Sequence, residues 1–197
     1  MPSDDVAAWD AEARDYDAPA DHGLRDPAVR EAWRRLLNGL LPDPPARVAE
    51  MGSGTGTLSV LLAGEGFEVD GVDFSPEMVR RAEAKAAGRA AVRFVRGDAS
   101  VPPLAEGSYD VVLSRHVLWA MPDPADALGR WVRLLRPGGR LVLVEGRWSN
   151  GAGLDAEETV ALVEATGSAA ALTRLTDPSY WGGPIEDDRY VVTAPVG

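Results

Sequence analysis

At 197 residues and a formal net charge of −11, the chain is long enough to bury one core of ordinary size, and too acidic to suit a nucleic-acid backbone or an anionic membrane surface, which call for clustered Lys and Arg. It has no cysteine and two histidines, which excludes disulfides, thiolate metal sites and cysteine nucleophiles and makes a transition-metal site an unpromising reading. The acidic start Met1-Pro2-Ser3-Asp4-Asp5 lacks the apolar centre of a signal peptide and no apolar run approaches membrane-spanning length, so a cytoplasmic monomer or homodimer is expected.

From Trp9 to Tyr16, aromatic and charged residues mix at helical spacing, too polar for a core segment and suited to a cover lying over the domain. Asp26-Pro27 supplies an N-cap and a first-turn proline for an amphipathic helix through Val29, Trp33, Leu36, Leu37 and Leu40, which Pro42-Asp43-Pro44-Pro45 ends. Val48-Ala49-Glu50-Met51 then reads as a strand running into Gly52-Ser53-Gly54-Thr55-Gly56 and the helix that begins near Leu58. Glycines there allow positive φ and close approach of a ligand, and the helix start offers unpaired N–H groups, so a nucleotide-like ligand is expected.

Phe67 to Asp73 alternates like a second strand, and Ser75-Pro76-Glu77 opens a helix through Met78, Val79 and Ala82 to Gly88. Ala91 to Arg96 is a third strand, followed by Gly97-Asp98 and the proline-bearing loop at Val101-Pro102-Pro103-Leu104. Tyr109 to Ser114 is a fourth, apolar enough for mid-sheet, and leads into Arg115-His116-Val117-Leu118-Trp119. Asp123-Pro124 opens a helix that Pro137-Gly138-Gly139 stops, and Arg140 to Glu145 is the fifth strand. Asp155-Ala156-Glu157-Glu158 resembles a capping box, and Ala170 to Thr176 and Tyr190 to Thr193 read as closing strands about the Tyr180-Trp181-Gly182-Gly183-Pro184 loop.

This alternation predicts an α/β fold of Rossmann-like, doubly wound type: a mostly parallel, seven-stranded sheet with helices on both faces and an N-terminal helical cover. One domain over 1–197 is expected, with the cover at 1–45, a ligand-binding core at 46–147 and a C-terminal helix and closing strands at 148–197. Ligands in such folds bind at the carboxyl ends of the strands, where Glu50, Asp73, Asp98, Ser114 and Glu145 all fall.

Taken in order, Glu50-Met51-Gly52-Ser53-Gly54-Thr55-Gly56, Val72-Asp73-Phe74-Ser75-Pro76-Glu77-Met78, Gly97-Asp98-Ala99, Tyr109-Asp110-Val111-Val112 and Leu135-Arg136-Pro137-Gly138-Gly139 resemble the class I S-adenosylmethionine-dependent methyltransferases, small-molecule branch. The resemblance implies S-adenosyl-L-methionine as cofactor and methyl transfer to a small-molecule acceptor, with no nucleic-acid or membrane partner. It implies that Gly52, Ser53 and Gly54 pass close to the methionine and ribose portions, that Glu50 orients the ammonium end and that Asp73 accepts both ribose hydroxyls. Phe74 and Met78 would flank the adenine, with Asp98 and Ala99 at its edge and Tyr16 and Ser114 completing the cofactor set. It also implies that the acceptor meets the methyl group past the fourth strand, where His116 is the candidate general base and Arg115 a substrate-binding or catalytic partner. His22, Trp119, Trp148 and Trp181 are the candidate acceptor pocket, and the short connection after Glu145 leaves the lid mainly to the N-terminal segment.

Two rivals stand beside this reading. One is an NAD-type oxidoreductase, although Gly-x-Gly-x-x-Gly differs from the glycine spacing here. The other is a non-catalytic cofactor-binding partner subunit. The sequence has neither a Gly-x-x-x-x-Gly-Lys loop nor a His-Glu-x-x-His motif, and no metal is expected.

Overall fold

The computed structural model describes residues 3–197, with side chains from Val6 onward; Met1 and Pro2 of the acidic start lie outside the described residues. Seven strands form a single sheet: β1 (Arg47–Met51), β2 (Glu68–Asp73), β3 (Val92–Arg96), β4 (Tyr109–Arg115), β5 (Leu135–Arg147), β6 (Ala171–Arg174) and β7 (Asp188–Pro195). Their order is β3-β2-β1-β4-β5-β7-β6. The first five run parallel, while β7 lies antiparallel to both β5 and β6. The chain reverses direction across the sheet between β1 and β4, the switch point at which such folds bind ligands.

The parallel strands are apolar on both faces because helices cover both. On one face Val48, Val69, Val111, Leu113 and Val142 meet Trp33 and Leu37 of α3 (Pro27–Leu40) and Leu58 and Leu62 of α4 (Thr57–Gly64). On the other, Ala49, Val112, Leu141 and Leu143 meet Leu128 and Trp131 of α6 (Pro124–Leu134) and Val163 of α7 (Ala156–Glu164). Adjacent residues of one strand, Val111 and Val112, thus serve opposite cores, as the two-residue period demands.

Three proline-initiated helices begin as expected. Asp26, Ser75 and Asp123 cap α3, α5 (Pro76–Ala86) and α6 with their side chains. Asp155 precedes α7 but makes no side-chain cap, so the expected capping box is a position without the bond. The segment expected to stop α6 is instead the first part of β5: Leu135 already pairs with Tyr109, and the ladder slips there before resuming at Val111 and Arg140. Gly138, at φ 79°, lets the strand absorb that irregularity while its N–H bonds Val196 O.

The N-terminal cover is α1 (Ser3–Glu12), a turn, and the four-residue α2 (Ala20–Gly23). The helix starts and ends earlier than the Trp9 to Tyr16 reading. Among the described residues no helix is long and apolar enough to cross a membrane.

Candidate active site

The glycine loop leaves β1 through three left-handed turns, with φ of 66°, 53° and 74° at Gly52, Gly54 and Gly56. Two of these positions shape a cleft. A Cβ on Gly52 would lie 2.4 Å from Val117 Cγ2, and one on Gly54 would lie 3.2 Å from the Tyr16 ring. The backbone therefore approaches side chains from the segment after β4 and from the cover, and only glycine tolerates both the sterics and the φ.

Asp73 ends β2 beside this loop. Its Oδ2 accepts the Gly54 N–H at 2.8 Å and its Oδ1 the Ser75 N–H at 2.9 Å, so the carboxylate is locked with both oxygens toward the rim. Burial raises its pKa against the lowering effect of those bonds. At the end of the next loop Asp98 Oδ1 accepts from the Ser100 N–H and hydroxyl, and although burial pushes upward, these bonds hold the group below its ordinary value. Phe74 and Met78 supply apolar walls. The cleft is lined by Tyr16, Gly52, Gly54, Asp73, Phe74, Met78, Asp98, Ala99, Arg115 and His116 among others. Paired acceptor oxygens, an apolar slot and a second carboxylate at its far end fit a nucleoside with a vicinal diol.

Three expected cofactor residues sit behind the cleft rather than on its wall. Glu50 is buried and takes a hydrogen bond from Ser59; desolvation lifts its pKa to about 7. Ser53 donates its backbone N–H to Val72 O at 2.9 Å, and Ser114 is wholly buried in β4.

The cover is tied down by polar contacts that the sequence did not disclose. Asp10 accepts from the Ser75 hydroxyl and, at 3.2 Å, from the Glu77 N–H, so it supplements the N-terminal cap of α5. Asp17 pairs with Lys85 at 2.9 Å and accepts from Thr55 of the glycine loop at 2.5 Å. Arg115 donates to Asp21 O and lies over the Trp33 ring, 5.1 Å from its centroid. Tyr16 stacks on His22 with centroids 4.6 Å apart.

Past β4 the chain turns at His116, which adopts φ 61°, unusual for any residue but glycine. Its N–H bonds Val144 O at 2.8 Å and its carbonyl accepts Trp119 Nε1 at 2.9 Å. Its ring meets Trp148 edge-on at 5.1 Å, and its Nε2 lies 3.0 Å from Arg189 Nη1. Burial, then the positive charges of Arg115 and Arg189, depress its pKa well below the ordinary range, so the ring is neutral. A guanidinium only donates, so Nε2 spends its lone pair on Arg189. The expectation of His116 as a ready general base is therefore not met by this arrangement. Arg189 is itself held by Asp187 at 2.8 Å and lies 4.7 Å from the Trp148 ring and 5.2 Å from that of Trp181.

A second cavity lies between cover and rim, lined by Trp9, Glu12, Asp15, Tyr16, Pro19, His22, His116, Trp119 and Trp148. It gathers three of the four expected acceptor residues. Trp181 is the exception: its ring meets Trp33 at right angles, its Nε1 donates to Leu175 O at 3.0 Å, and it belongs to the core under α3. Trp9 is an addition. Arg189 and Asp187 were missed because nothing in their local sequence marks them; antiparallel pairing of β7 with β5, Arg189 opposite Gly146, carries them to the rim.

Among the described residues, five buried side-chain polar atoms lack a hydrogen-bond partner: Ser53 Oγ, Ser114 Oγ, His116 Nδ1, Glu145 Oε2 and Arg189 Nε. All belong to residues at or next to the carboxyl end of the parallel sheet. Glu145 Oε1 accepts the Val117 and Leu118 N–H groups at 3.0 and 2.8 Å, and burial raises the carboxyl pKa to about 8.

A family model for a methyltransferase domain matches residues 49–143. A demethylmenaquinone methyltransferase of Beutenbergia cavernae is 39% identical over 145 residues, 73% of this chain and 58% of the relative. An uncharacterized methyltransferase of Mycobacterium tuberculosis is 40% identical over 108 residues, covering 55% of this chain and 43% of its own. The chain thus spans little more than half the length of the curated relatives it matches first. Among solved structures, the cyclase SpnF superposes with a TM-score of 0.74 at 20% identity, covering 85% of this chain and 81% of its own. A geranyl diphosphate methyltransferase in complex with GPP and sinefungin gives 0.71 at 17%, with 84% and 78% covered. At these identities the structural likeness is one of fold.

Proposed function

Because the chain belongs to the class I S-adenosylmethionine-dependent methyltransferases, we propose that it transfers a methyl group from S-adenosylmethionine to a small-molecule acceptor and releases S-adenosylhomocysteine. The observation that carries this reading is a shared wall: Trp9, Tyr16 and His116 line both the diol-binding cleft and the tryptophan-rich cavity beside it. Two compartments that meet at three side chains suit a donor and an acceptor brought into contact.

In the cleft, Asp73 would hold the ribose hydroxyls, Phe74 and Met78 the adenine, and Asp98 with Ala99 its polar edge. Gly52 and Gly54 would let the backbone approach the rest, with Glu50, Ser53 and Ser114 supporting from behind and Tyr16 closing over. The cofactor supplies a methyl carbon already activated on a sulfonium, so the protein's main task is alignment and exclusion of water. The cover does both, since Tyr16 lies over Gly54 while Asp10, Asp17 and Asp21 fasten it to α5, the glycine loop and Arg115. In the second cavity Trp119 and Trp148, with ring centroids 5.6 Å apart, offer flat apolar surface and His22 offers a polar contact, while Arg115 lines the neighbouring cleft. This lining suits an aromatic acceptor, in keeping with the quinone named in several relatives. One domain acting in the cytoplasm on a small metabolite, as monomer or homodimer, completes the proposal.

The oxidoreductase rival is not favoured by the family match. The partner-subunit rival differs by turnover. Incubation with methyl-labelled S-adenosylmethionine and a panel of quinols, phenols, amines and thiols should release S-adenosylhomocysteine with at least one acceptor. Binding of the cofactor without release across the panel would support a non-catalytic subunit instead.

A further inference from the structure

His116, at the wall between the compartments, and Arg189 beside it both leave polar capacity unused, and their chemistry is mutually constrained. Arg189 Nη1 lies 3.0 Å from His116 Nε2. Arginine has five N–H donors and no acceptor and stays charged, so Nε2 must present a lone pair. The imidazole's one proton therefore sits on Nδ1, an atom buried without a protein partner.

Arg189 is well placed to impose this. Asp187 takes its Nη2 at 2.8 Å, and the rings of Trp148 and Trp181 lie within 4.7 and 5.2 Å of its guanidinium carbon, so it has little freedom to turn away. His116 is equally fixed, by Val144 O on its N–H, by Trp119 Nε1 on its carbonyl and by its left-handed backbone.

We propose that Arg189 is a positioning residue that locks His116 in the Nδ1–H tautomer, so that the Nε2 lone pair is held by the guanidinium and is not free to remove a proton from an acceptor. This rests on the reading of the tryptophan-rich cavity as the acceptor site. The acceptor class that fits is an oxygen-bearing molecule that ionises by itself, a phenolate or enolate. The transfer then balances without a base on this wall. The anion supplies the electron pair of the new bond to the methyl carbon, the pair of the broken carbon–sulfur bond stays on sulfur, and the anionic and sulfonium charges cancel.

The surrounding charges agree. Arg115 and Arg189 both oppose a second proton on the ring, His22 lies near enough to oppose it further, and Asp21 and Asp187 are occupied with His22 and Arg189 respectively. Burial adds to the same effect, keeping the ring neutral.

The test is a long-range ¹H–¹⁵N correlation spectrum of the ¹⁵N-labelled protein with and without S-adenosylhomocysteine. The chain has two histidines, so the comparison of wild type with His22→Gln assigns both rings. The expected result is a pyridine-type shift at His116 Nε2 and a pyrrole-type shift at Nδ1, constant across neutral pH. Arg189→Lys, which keeps a cationic donor, should retain that pattern, and Arg189→Met should move the proton wholly or partly to Nε2. A protonated Nε2 in the wild type overturns the proposal. So does an Arg189→Met protein that keeps the Nδ1–H tautomer fully. If Arg189→Met fails to fold, the wild-type spectrum still decides the tautomer, and loss of the pattern in a folded Arg189→Lys protein counts against the lock. Absence of S-adenosylhomocysteine binding in the same samples would refute the functional reading while leaving the tautomer result intact.

Discussion

The two halves of the rim are built on different principles. In the cofactor half the two rim carboxylates are held by donors no more than 19 residues away: Asp73 by Gly54 and Ser75, and Asp98 by Ser100. The acceptor half joins distant chain segments, His116 to Arg189 across 73 residues and Arg115 to Asp21 across 94. Three of the five unpartnered buried polar atoms among the described residues belong to this second half, in His116, Glu145 and Arg189. A buried polar atom without a protein partner calls for a water, an ion or a ligand group to satisfy it.

The largest expected effect breaks the cofactor half. Asp73→Ala removes charged acceptors and orphans the Gly54 and Ser75 N–H groups, and should weaken S-adenosylhomocysteine binding by about 100-fold in calorimetry, equivalent to about 3 kcal/mol. Asp73→Asn, which retains one acceptor oxygen, should lose less. Gly52→Ala forces an unfavourable φ and a clash with Val117, and should lower unfolding free energy by about 1–3 kcal/mol in denaturant titration.

The carboxyls beneath the rim give a pH signature that spans both halves. Glu50 and Glu145 have pKa values raised by burial to about 7 and about 8, so the folded protein holds protons that the unfolded chain has released. Their stabilising contribution is complete below the unfolded value near 4.5 and is lost as pH rises through 7 and 8. Over pH 5–8 each proton retained on folding costs about 1.4 kcal/mol of stability per pH unit. Glu145→Gln should flatten the slope on the acceptor side and Glu50→Gln on the cofactor side, as read by urea denaturation at a series of pH values.

A smaller effect concerns the fastening between the halves. Lys85→Met leaves Asp17 with Thr55 and Thr57 but no cation, and should loosen the cover by about 1 kcal/mol, seen as faster amide exchange over residues 13–24. Unchanged exchange there would show that Asp10 and Arg115 hold the cover by themselves.

The same contrast explains what could be read in advance. Asp73 and Asp98 lie at or just past strand ends beside glycine or capping residues, so alternation and turn chemistry place them at the rim, whereas the roles of Phe74 and Met78 are implied only by the family resemblance. Trp181 misled because an aromatic in a glycine-rich loop gives no sign of which way it faces, and here Trp33 draws it into the core. Arg189 was invisible because its place depends on the antiparallel register of β7 on β5, set by tertiary pairing rather than by neighbours. Glu50, Ser53 and Ser114 occupied the expected places in the chain, yet their side chains lie behind the cleft wall.

Titrating the wild-type protein with S-adenosylhomocysteine and, separately, with NAD tests the central claim most directly. The account predicts saturable heat with S-adenosylhomocysteine and none with NAD. Saturable binding of NAD, or of neither compound, would contradict it.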